Sequence, residues 1–516
     1  MTTAGAGATG PGQVPPVDPD LDLTFNSARG RWVLAATVLG TGIAFLDSTV
    51  VGIALPSINR AFGGGVGTLQ WVVTGYSLTL AAFLLLGGSL GDRFGRRRMF
   101  SLGIAWFAVA SALCGIAPNA GFLVVARVVQ GIGGALLTPG SLAIIQASFR
   151  PADRPRAIGA WSGLGGVATA AGPLIGGYLL AAGSWRLVFY INLPIAVFVL
   201  IITARHVPES SDPTNVGRVD TVGATLAVIF LAGVTYALIE GPTRGWSNTL
   251  VVVALVLAVL AAPAFFVVEH RVADPMLPLD LFRSRQFSGA NGVTFIVYGA
   301  LGGALFLLPV ELQIVEHYSP LDSGLALLPV TLIMLLFSAR SGEISARIGP
   351  RLQMSVGPVV VGAGLALLAR ATDHGSYWTE VFPAVLLFGL GLAVTVAPLT
   401  STAMGAAPAE HSGIASAVNN TVARAASLLA VAVLPLASGL TGVAGLAPAE
   451  LAHGFDTAMY IAGATCVAGG VLAVLTIRNP ARPPAKVAEP KWPFSCGVTV
   501  PPAAQPLIAA AGSTSA

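Results

Sequence analysis

The chain has 516 residues, of which 54% are hydrophobic and 10% are charged, and its mean hydropathy is +0.79. Soluble domains of this length are not so apolar, so the composition indicates a polytopic membrane protein. The net charge of +4 is small and the basic residues fall in loops between apolar runs, so nucleic acid is not expected as a partner.

The cysteines and short motifs argue against several other classes of protein. Cys114, Cys466 and Cys496 have no paired spacing, which indicates neither a disulfide framework nor a metal site. The sequence also lacks a nucleotide-binding P-loop, a zinc-ligand cluster and a nucleophile elbow. We therefore expect no cofactor, no ATP-driven transport and no enzymatic activity.

Fourteen apolar runs, each long enough to cross a bilayer, follow one another along the chain. Residues 1–30 precede them and residues 478–516 follow them, and both segments are predicted to be disordered cytoplasmic tails. The predicted spans, numbered 1 to 14 in chain order, are 32–55, 70–90, 99–117, 121–146, 158–181, 187–204, 221–239, 249–268, 288–313, 323–340, 352–370, 380–400, 413–438 and 457–477.

The basic residues predict the orientation of these spans. With the N-terminus in the cytoplasm, two of the 27 lysines and arginines lie within spans, most lie inside, and four lie outside, namely Arg60, Arg186, Arg244 and Arg370. Lys and Arg near membrane spans are held on the cytoplasmic side. Dropping any one span would reverse the sidedness of everything after it, so the pattern supports fourteen spans with both termini in the cytoplasm.

The loop between spans 2 and 3 has a second copy in the other half of the chain. Residues 88–98 read GSLGDRFGRRR, and residues 342–351 repeat Gly88, Gly95 and two of the arginines. A half-length repeat inside an apolar chain is typical of transporters. It predicts two six-span bundles, 31–204 and 288–477, separated by linkers and an inserted two-span hairpin at 205–287.

Two ionisable residues in the first half lie at similar depth. Asp47 is about fifteen residues into span 1 from inside, or about 22 Å, and Arg127 is about six residues into span 4 from outside, or about 9 Å. In a hydrocarbon core about 30 Å thick these positions nearly coincide. We predict that the two residues pair, or exchange partners with a proton or substrate. A static ion pair that joins two helices is the open alternative.

Span 13 and span 9 carry the corresponding candidates in the second half. Arg424 lies near mid-membrane without an evident partner, on a helix face that also carries Ser416, Asn420 and Ser427. Glu311 lies at the outer end of span 9, where a carboxylate either faces a cavity or reaches interfacial water.

Together the motifs resemble one family, the major facilitator superfamily, and within it the fourteen-span drug:proton antiporters of the EmrB/QacA type. The loop 88–100 resembles the cytoplasmic signature of the superfamily, and 123–135 resembles its span 4 motif. Span 5 carries a sequence similar to the antiporter motif of exporters, formed by Gly172, Pro173, Gly176 and Gly177. Residues 46–56, 185–194 and 312–329 resemble further motifs of the fourteen-span branch.

The resemblance implies an all-α major facilitator fold, in which two six-helix bundles and a two-helix insertion surround a central cavity and rock between inward-open and outward-open states. It implies proton coupling by Asp47 and Arg127. The candidates for substrate binding are then Gln130, Glu311, Asn420 and Arg424.

The same resemblance assigns the loop after span 2 to gating of the cytoplasmic side. Asp92 is expected to face the N-terminus of a neighbouring helix, and Ala346 replaces it in the second copy. The other expected gating residues are Arg93, Gly95, Arg96 and Arg97.

We therefore predict a proton-driven exporter of amphipathic drugs or antibiotics in the cytoplasmic (inner) membrane, active as a monomer in the lipid bilayer. The alternative within transport is uptake of a small nutrient or siderophore by proton symport or facilitated diffusion, and the span 5 motif argues against it. A membrane sensor or scaffold is a third possibility, but it explains neither the intramembrane charges nor the loop motif.

Overall fold

The computed structural model describes residues 22–211, 220–272, 275–370, 376–407, 412–440 and 448–479. Within them, fourteen helices are long and apolar enough to cross a membrane, which confirms the predicted number. The helices of spans 1 to 14 are Ala28–Phe62, Gly65–Phe94, Arg96–Gly115, Ala120–Ser148, Arg154–Ala181, Leu187–Tyr190 with Asn192–His206, Thr221–Arg244, Thr249–Arg271, Arg285–Ile314, Pro320–Ala326 with Leu328–Ile348, Pro350–Leu368, Val381–Gly405, Ser412–Ala437 and Pro448–Thr476.

Several of these helices begin at a residue whose side chain caps the exposed backbone amides. Ser27, Asn119 and Ser284 each accept a hydrogen bond from an amide in the first turn of spans 1, 4 and 9. Such caps satisfy amides that have no partner within the helix. These caps fix the residue at which each of the three helices begins.

Both halves use the same pairing of helices. In the first half, span 1 packs on spans 5 and 6, span 4 on spans 2 and 3, and span 3 on span 6. In the second half, span 9 packs on spans 13 and 14, span 12 on spans 10 and 11, and span 11 on span 14. This one-to-one correspondence confirms two six-helix bundles, while the domain boundaries drawn from the sequence stay a prediction.

The repeated loop has the same backbone shape in both halves. Gly95 connects spans 2 and 3 with a φ of 104°, and Gly349 connects spans 10 and 11 with a φ of 88°. Glycine adopts such positive φ values without the steric cost that a side chain would add. The repeat therefore reflects a shared turn between two helices.

The two halves meet on the side predicted to face outward. Gln70, at the start of span 2, donates to the Val431 carbonyl at 2.8 Å, and Gln313, at the end of span 9, donates to the Ile53 carbonyl at 2.9 Å. One apolar cluster contains residues of both halves. A second cluster, towards the predicted inner side, consists entirely of residues from the first half. This packing closes the predicted outer side.

The inserted hairpin lies along the line where the halves meet. Spans 7 and 8 pack against each other, and span 7 also contacts span 2 of the first half and span 13 of the second. Trp71 of span 2 donates its indole N–H to Glu240 of span 7 at 2.8 Å. The hairpin is thus attached to both bundles.

The predicted N-terminal tail is partly ordered. The Leu23 amide donates to the Ser148 carbonyl at 2.9 Å, and the Phe25 amide donates to the Asp153 carboxylate at 3.0 Å. The segment from Leu23 to the start of span 1 therefore differs from the expected disorder, because the end of span 4 supplies acceptors for its amides. Residues 1–21 and 480–516, the remainder of the predicted tails, lie outside the described residues.

Candidate functional site

The predicted contact between Asp47 and Arg127 is confirmed. Arg127 Nη1 donates to Asp47 Oδ2 at 2.5 Å, and both side chains are at most 1% exposed. Span 1 brings the carboxylate from one side and span 4 brings the guanidinium from the other, as their depths predict. The role of the pair in proton coupling stays a prediction.

Three further polar side chains surround this ion pair. Gln130 Nε2 donates to Asp47 Oδ1 at 2.9 Å, and Asn192 Nδ2 donates to the same oxygen at 3.1 Å. Both amides also donate to Ser111 Oγ, at 2.8 and 3.2 Å. Spans 1, 3, 4 and 6 therefore join in one buried network. A buried carboxylate is tolerated only when it has a counter-charge and hydrogen bonds of this kind.

Arg127 is held by more than its carboxylate. Its Nε donates to the Val72 carbonyl of span 2 at 3.1 Å, and its Nη1 also donates to Gln130 Oε1 at 2.6 Å. The guanidinium carbon lies 4.3 Å from the ring centroid of Tyr76 and 5.8 Å from that of Phe189. Cation–π contacts of this geometry stabilise a desolvated guanidinium.

Sequence reasoning assigned Gln130 to substrate binding and gave no role to Ser111, Asn192 or Tyr76. The structure places Gln130 inside the ion-pair network, with 0% of its surface exposed. Asn192 lies in the segment 185–194, which resembles a motif of the fourteen-span branch. Its polar amide within an apolar helix could have marked it as a candidate for the site. The sequence could not tell which spans turn these side chains towards Asp47.

The substrate candidates of the second half do not come together in one cluster. Glu311 is 6% exposed, its Oε2 has no hydrogen-bond partner among the described residues, and the acidic side chains of Glu316 and Asp456 act on it electrostatically. Asn420 is exposed, and its side chain donates to the Ser416 carbonyl of its own helix. Arg424 is half-buried.

The gating loop binds the chain that follows span 6. Asp92 accepts from Nη2 of Arg96, the first residue of span 3, at 2.7 Å. That Asp92 faces the N-terminus of a neighbouring helix stays a prediction. The Arg97 amide donates to Glu209 Oε1 at 3.0 Å, and a Cβ on Gly95 would lie 2.8 Å from that oxygen. Arg93 contacts the Phe94 ring. Glu209, which sequence reasoning missed, is therefore the main acceptor for this loop.

The span 5 motif lies at the seam between the halves. A Cβ on Gly176 would meet Val50 Cγ1 of span 1 at 3.1 Å, and a Cβ on Gly177 would meet Leu321 Cα of span 10 at 2.6 Å. Pro173 presents its carbonyl to Gly324 of span 10. Missing side chains let helices approach this closely, so the motif allows span 5 to pack tightly against spans 1 and 10.

The sequence profile of the Major Facilitator Superfamily matches residues 37–431, which include the ion pair, the gating loop and the span 5 motif. The chain belongs to this superfamily. As a major facilitator with fourteen apolar helices, it is a multi-pass protein of the cytoplasmic membrane, and its family carries small molecules across membranes.

Two relatives and one solved structure illustrate which major facilitators it is similar to. The Multidrug resistance protein Stp of Mycobacterium tuberculosis (strain CDC 1551 / Oshkosh) is 36% identical over 402 residues, which are 78% of this chain and 74% of that protein. The Tetracenomycin C resistance and export protein of Streptomyces glaucescens is 36% identical over 417 residues, 79% of this chain and 76% of that protein. An inward-facing bacterial homolog to the human lysosomal transporter Spinster shares the fold, with a TM-score of 0.64 at 18% identity, and the match covers 87% of this chain and 97% of that one.

Proposed function

We propose that this major facilitator is a proton-coupled antiporter that exports amphipathic drugs or antibiotics by alternating access. The name of one relative includes multidrug resistance, and the name of the other includes resistance to tetracenomycin C and export. The exporter-like motif of span 5 supports the same direction, so export is favoured over uptake of a nutrient by symport. In this proposal the chain works as a monomer and has no enzymatic role.

The observation that carries the proton part of the proposal is the sealed pair of Asp47 and Arg127. Neither side chain is exposed to water in this state, so a proton can reach or leave Asp47 only when the helices around it move. Protonation would cancel the carboxylate charge, while Arg127 would keep Gln130, the Val72 carbonyl and the Tyr76 ring. These other partners lower the cost of giving up the ion pair.

The proposed cycle uses protonation to change how tightly span 1 binds span 4. Loss of the ionic attraction loosens these spans, and deprotonation towards the cytoplasm restores the pair. Each charge that moves inward gains about 2.3 kcal/mol per 100 mV of membrane potential, and the pH gradient adds to this. One proton per cycle is thus enough to sustain a concentration gradient of substrate.

The gating loop and the span 5 motif would act at opposite faces of the protein. We assign the pair of Asp92 with Arg96 and the pair of Arg97 with Glu209 to control of the cytoplasmic opening. The glycines Gly176 and Gly177 would form the outer closure, because helices approach each other there without intervening side chains.

Proton release in inverted vesicles tests the proposal. Energised vesicles that contain the wild-type protein should lose part of their pH gradient when a panel of amphipathic antibiotics and dyes is added, and Asp47→Asn should abolish that loss at equal protein level. Asp280→Asn is the matched control, since its side chain is 84% exposed and, among the described residues, binds only Arg283. A full response in Asp47→Asn would reject the proton site, and accumulation driven in the opposite direction would reject export.

A further inference from the structure

Arg424 is a charged side chain in the middle of span 13 without a counter-charge. Among the described residues it forms no ion pair and no hydrogen bond, although it is half-buried. The groups that act on its charge are the hydroxyls of Tyr76, from span 2, and Tyr298, from span 9. Arg127, the other arginine predicted to lie within a span, is paired with the carboxylate of Asp47. A cation at this depth is costly unless something compensates it.

Tyr76 contributes a second unsatisfied group at the same place. The residue is 2% exposed, and its buried hydroxyl has no hydrogen-bond partner in the described part of the chain. Buried hydroxyls nearly always have one. Spans 2 and 13 also pack directly against each other through a cluster that contains Leu78, Ala82 and Leu428. The Tyr76 hydroxyl and the Arg424 guanidinium therefore come from neighbouring spans of opposite halves, and each lacks a hydrogen-bond partner among the described residues.

We propose that Arg424 and the Tyr76 hydroxyl form the anion-binding part of the substrate site, so that the exported compounds are amphipaths with a carboxylate or an acidic phenolate. This inference rests on the proposed export function. Both groups donate hydrogen bonds to oxygen, and a guanidinium binds planar oxyanions with paired donors. The apolar side chains of the seam would contact the hydrophobic part of such a compound.

A cationic substrate does not fit this arrangement. It would meet the guanidinium with like-charge repulsion, and the nearby carboxylate of Asp47 already accepts hydrogen bonds from Arg127, Gln130 and Asn192. Tyr76 would also connect the bound anion to the proton site, because the centroid of its ring lies 4.3 Å from the guanidinium carbon of Arg127.

Binding of three probes with one fluorophore tests the charge preference without requiring transport. Dansylglycine carries a carboxylate, dansylcadaverine carries an ammonium group, and dansylamide is neutral. Equilibrium dialysis against the purified full-length protein in detergent gives each dissociation constant. We expect the wild type to bind dansylglycine at least about tenfold more tightly than dansylcadaverine.

Four variants locate the preference. Arg424→Gln should bind both charged probes within about threefold of each other, Arg424→Lys should retain a preference for the anion, and Tyr76→Phe should weaken dansylglycine alone. Arg60→Gln, a matched change at an exposed arginine, should leave all constants unchanged. Unchanged binding of dansylamide shows that each variant is folded.

Three results would overturn the inference: no binding of dansylglycine by the wild type, a preference for dansylcadaverine, or an intact anion preference in Arg424→Gln. The export proposal fails separately. Antiport of a cationic drug that depends on Asp47, measured in vesicles, would establish export and still contradict an anionic substrate class.

Discussion

Glu209 and Asn479 occupy equivalent positions in the two halves of the molecule. Glu209 Oε1 accepts a hydrogen bond from the Arg97 amide, and Asn479 Oδ1 accepts one from the Arg351 amide, each at 3.0 Å. Each acceptor follows the end of span 6 or span 14 by three residues, and each donor follows the turn glycine by two. In each half, a residue after the last span of the bundle therefore caps the first turn of the third span, and the internal repeat includes this cap.

Removal of either cap should destabilise its half by a similar amount. Glu209→Ala and Asn479→Ala are each expected to lower the free energy of unfolding by about 1 kcal/mol. Glu209→Gln should cost less, because it keeps an acceptor oxygen and loses only the weak ion pairs to Arg97 and Arg98 at 3.7 and 3.6 Å. Thermal unfolding in detergent measures all three. If Glu209→Gln is as unstable as Glu209→Ala, the negative charge of Glu209, and not its cap, stabilises the loop.

Breaking the buried ion pair from the arginine side should be strongly destabilising. Arg127→Gln leaves the Asp47 carboxylate buried without a counter-charge, which costs about 3–5 kcal/mol. The double variant Asp47→Asn/Arg127→Gln removes that charge and should recover part of the loss. Arg60→Gln serves as the control for unfolding in mixed micelles. A double variant no more stable than Arg127→Gln would show that the stranded carboxylate is not the cause.

A single methyl group at the seam should disturb the outer closure. In Gly177→Ala the new Cβ would lie 2.6 Å from Leu321 Cα and 2.8 Å from the Pro320 carbonyl, so the halves must separate. Gly166→Ala, in the same helix, adds its methyl where nothing lies within 4 Å.

Labelling of Ile53→Cys by a membrane-impermeant maleimide reports this separation, because Ile53 is 1% exposed at the seam. Labelling should rise in the Gly177→Ala background and stay at the original level in the Gly166→Ala background. Equal labelling in both would place the closure elsewhere.

The contact between the N-terminal segment and Asp153, directly before span 5, should depend on pH. The hydrogen bond from Arg150, and after it the Phe25 amide, lower the pKa of Asp153 below its ordinary value. A lowered folded-state pKa stabilises the protein at neutral pH, and this contribution is lost as pH falls below about 4 through the folded-state value.

Thermal unfolding between pH 7 and pH 3 tests this dependence. The wild type should be more stable than Asp153→Asn near neutrality, and the difference should shrink in acid. Asp280→Asn, at an exposed carboxylate, should show no such trend. A constant difference between wild type and Asp153→Asn would mean that the charge of Asp153 does not hold the segment.

The sequence predicted contacts well where depth in the bilayer alone decides them. Asp47 and Arg127 come from helices that enter from opposite sides, and their distances along those helices bring them level. Position along a helix does not determine the rotation of the helix about its axis, and that rotation decides which side chains are buried. Asn420 was selected with Arg424, yet the structure exposes Asn420 and buries its neighbour Asn419, which donates to Thr294 at 2.8 Å.

By itself the sequence determined the class of protein, the fourteen spans, the repeat and the principal ion pair. These features depend on hydrophobic length, charge placement and helical rise, which are properties of single segments. Only the tertiary structure decided that Gln130 and Asn192 complete the site of Asp47, that Glu209 binds the gating loop, and that the span of Tyr76 packs against the span of Arg424. Each of those contacts joins helices far apart in sequence, and their relative rotation follows from packing of the whole bundle.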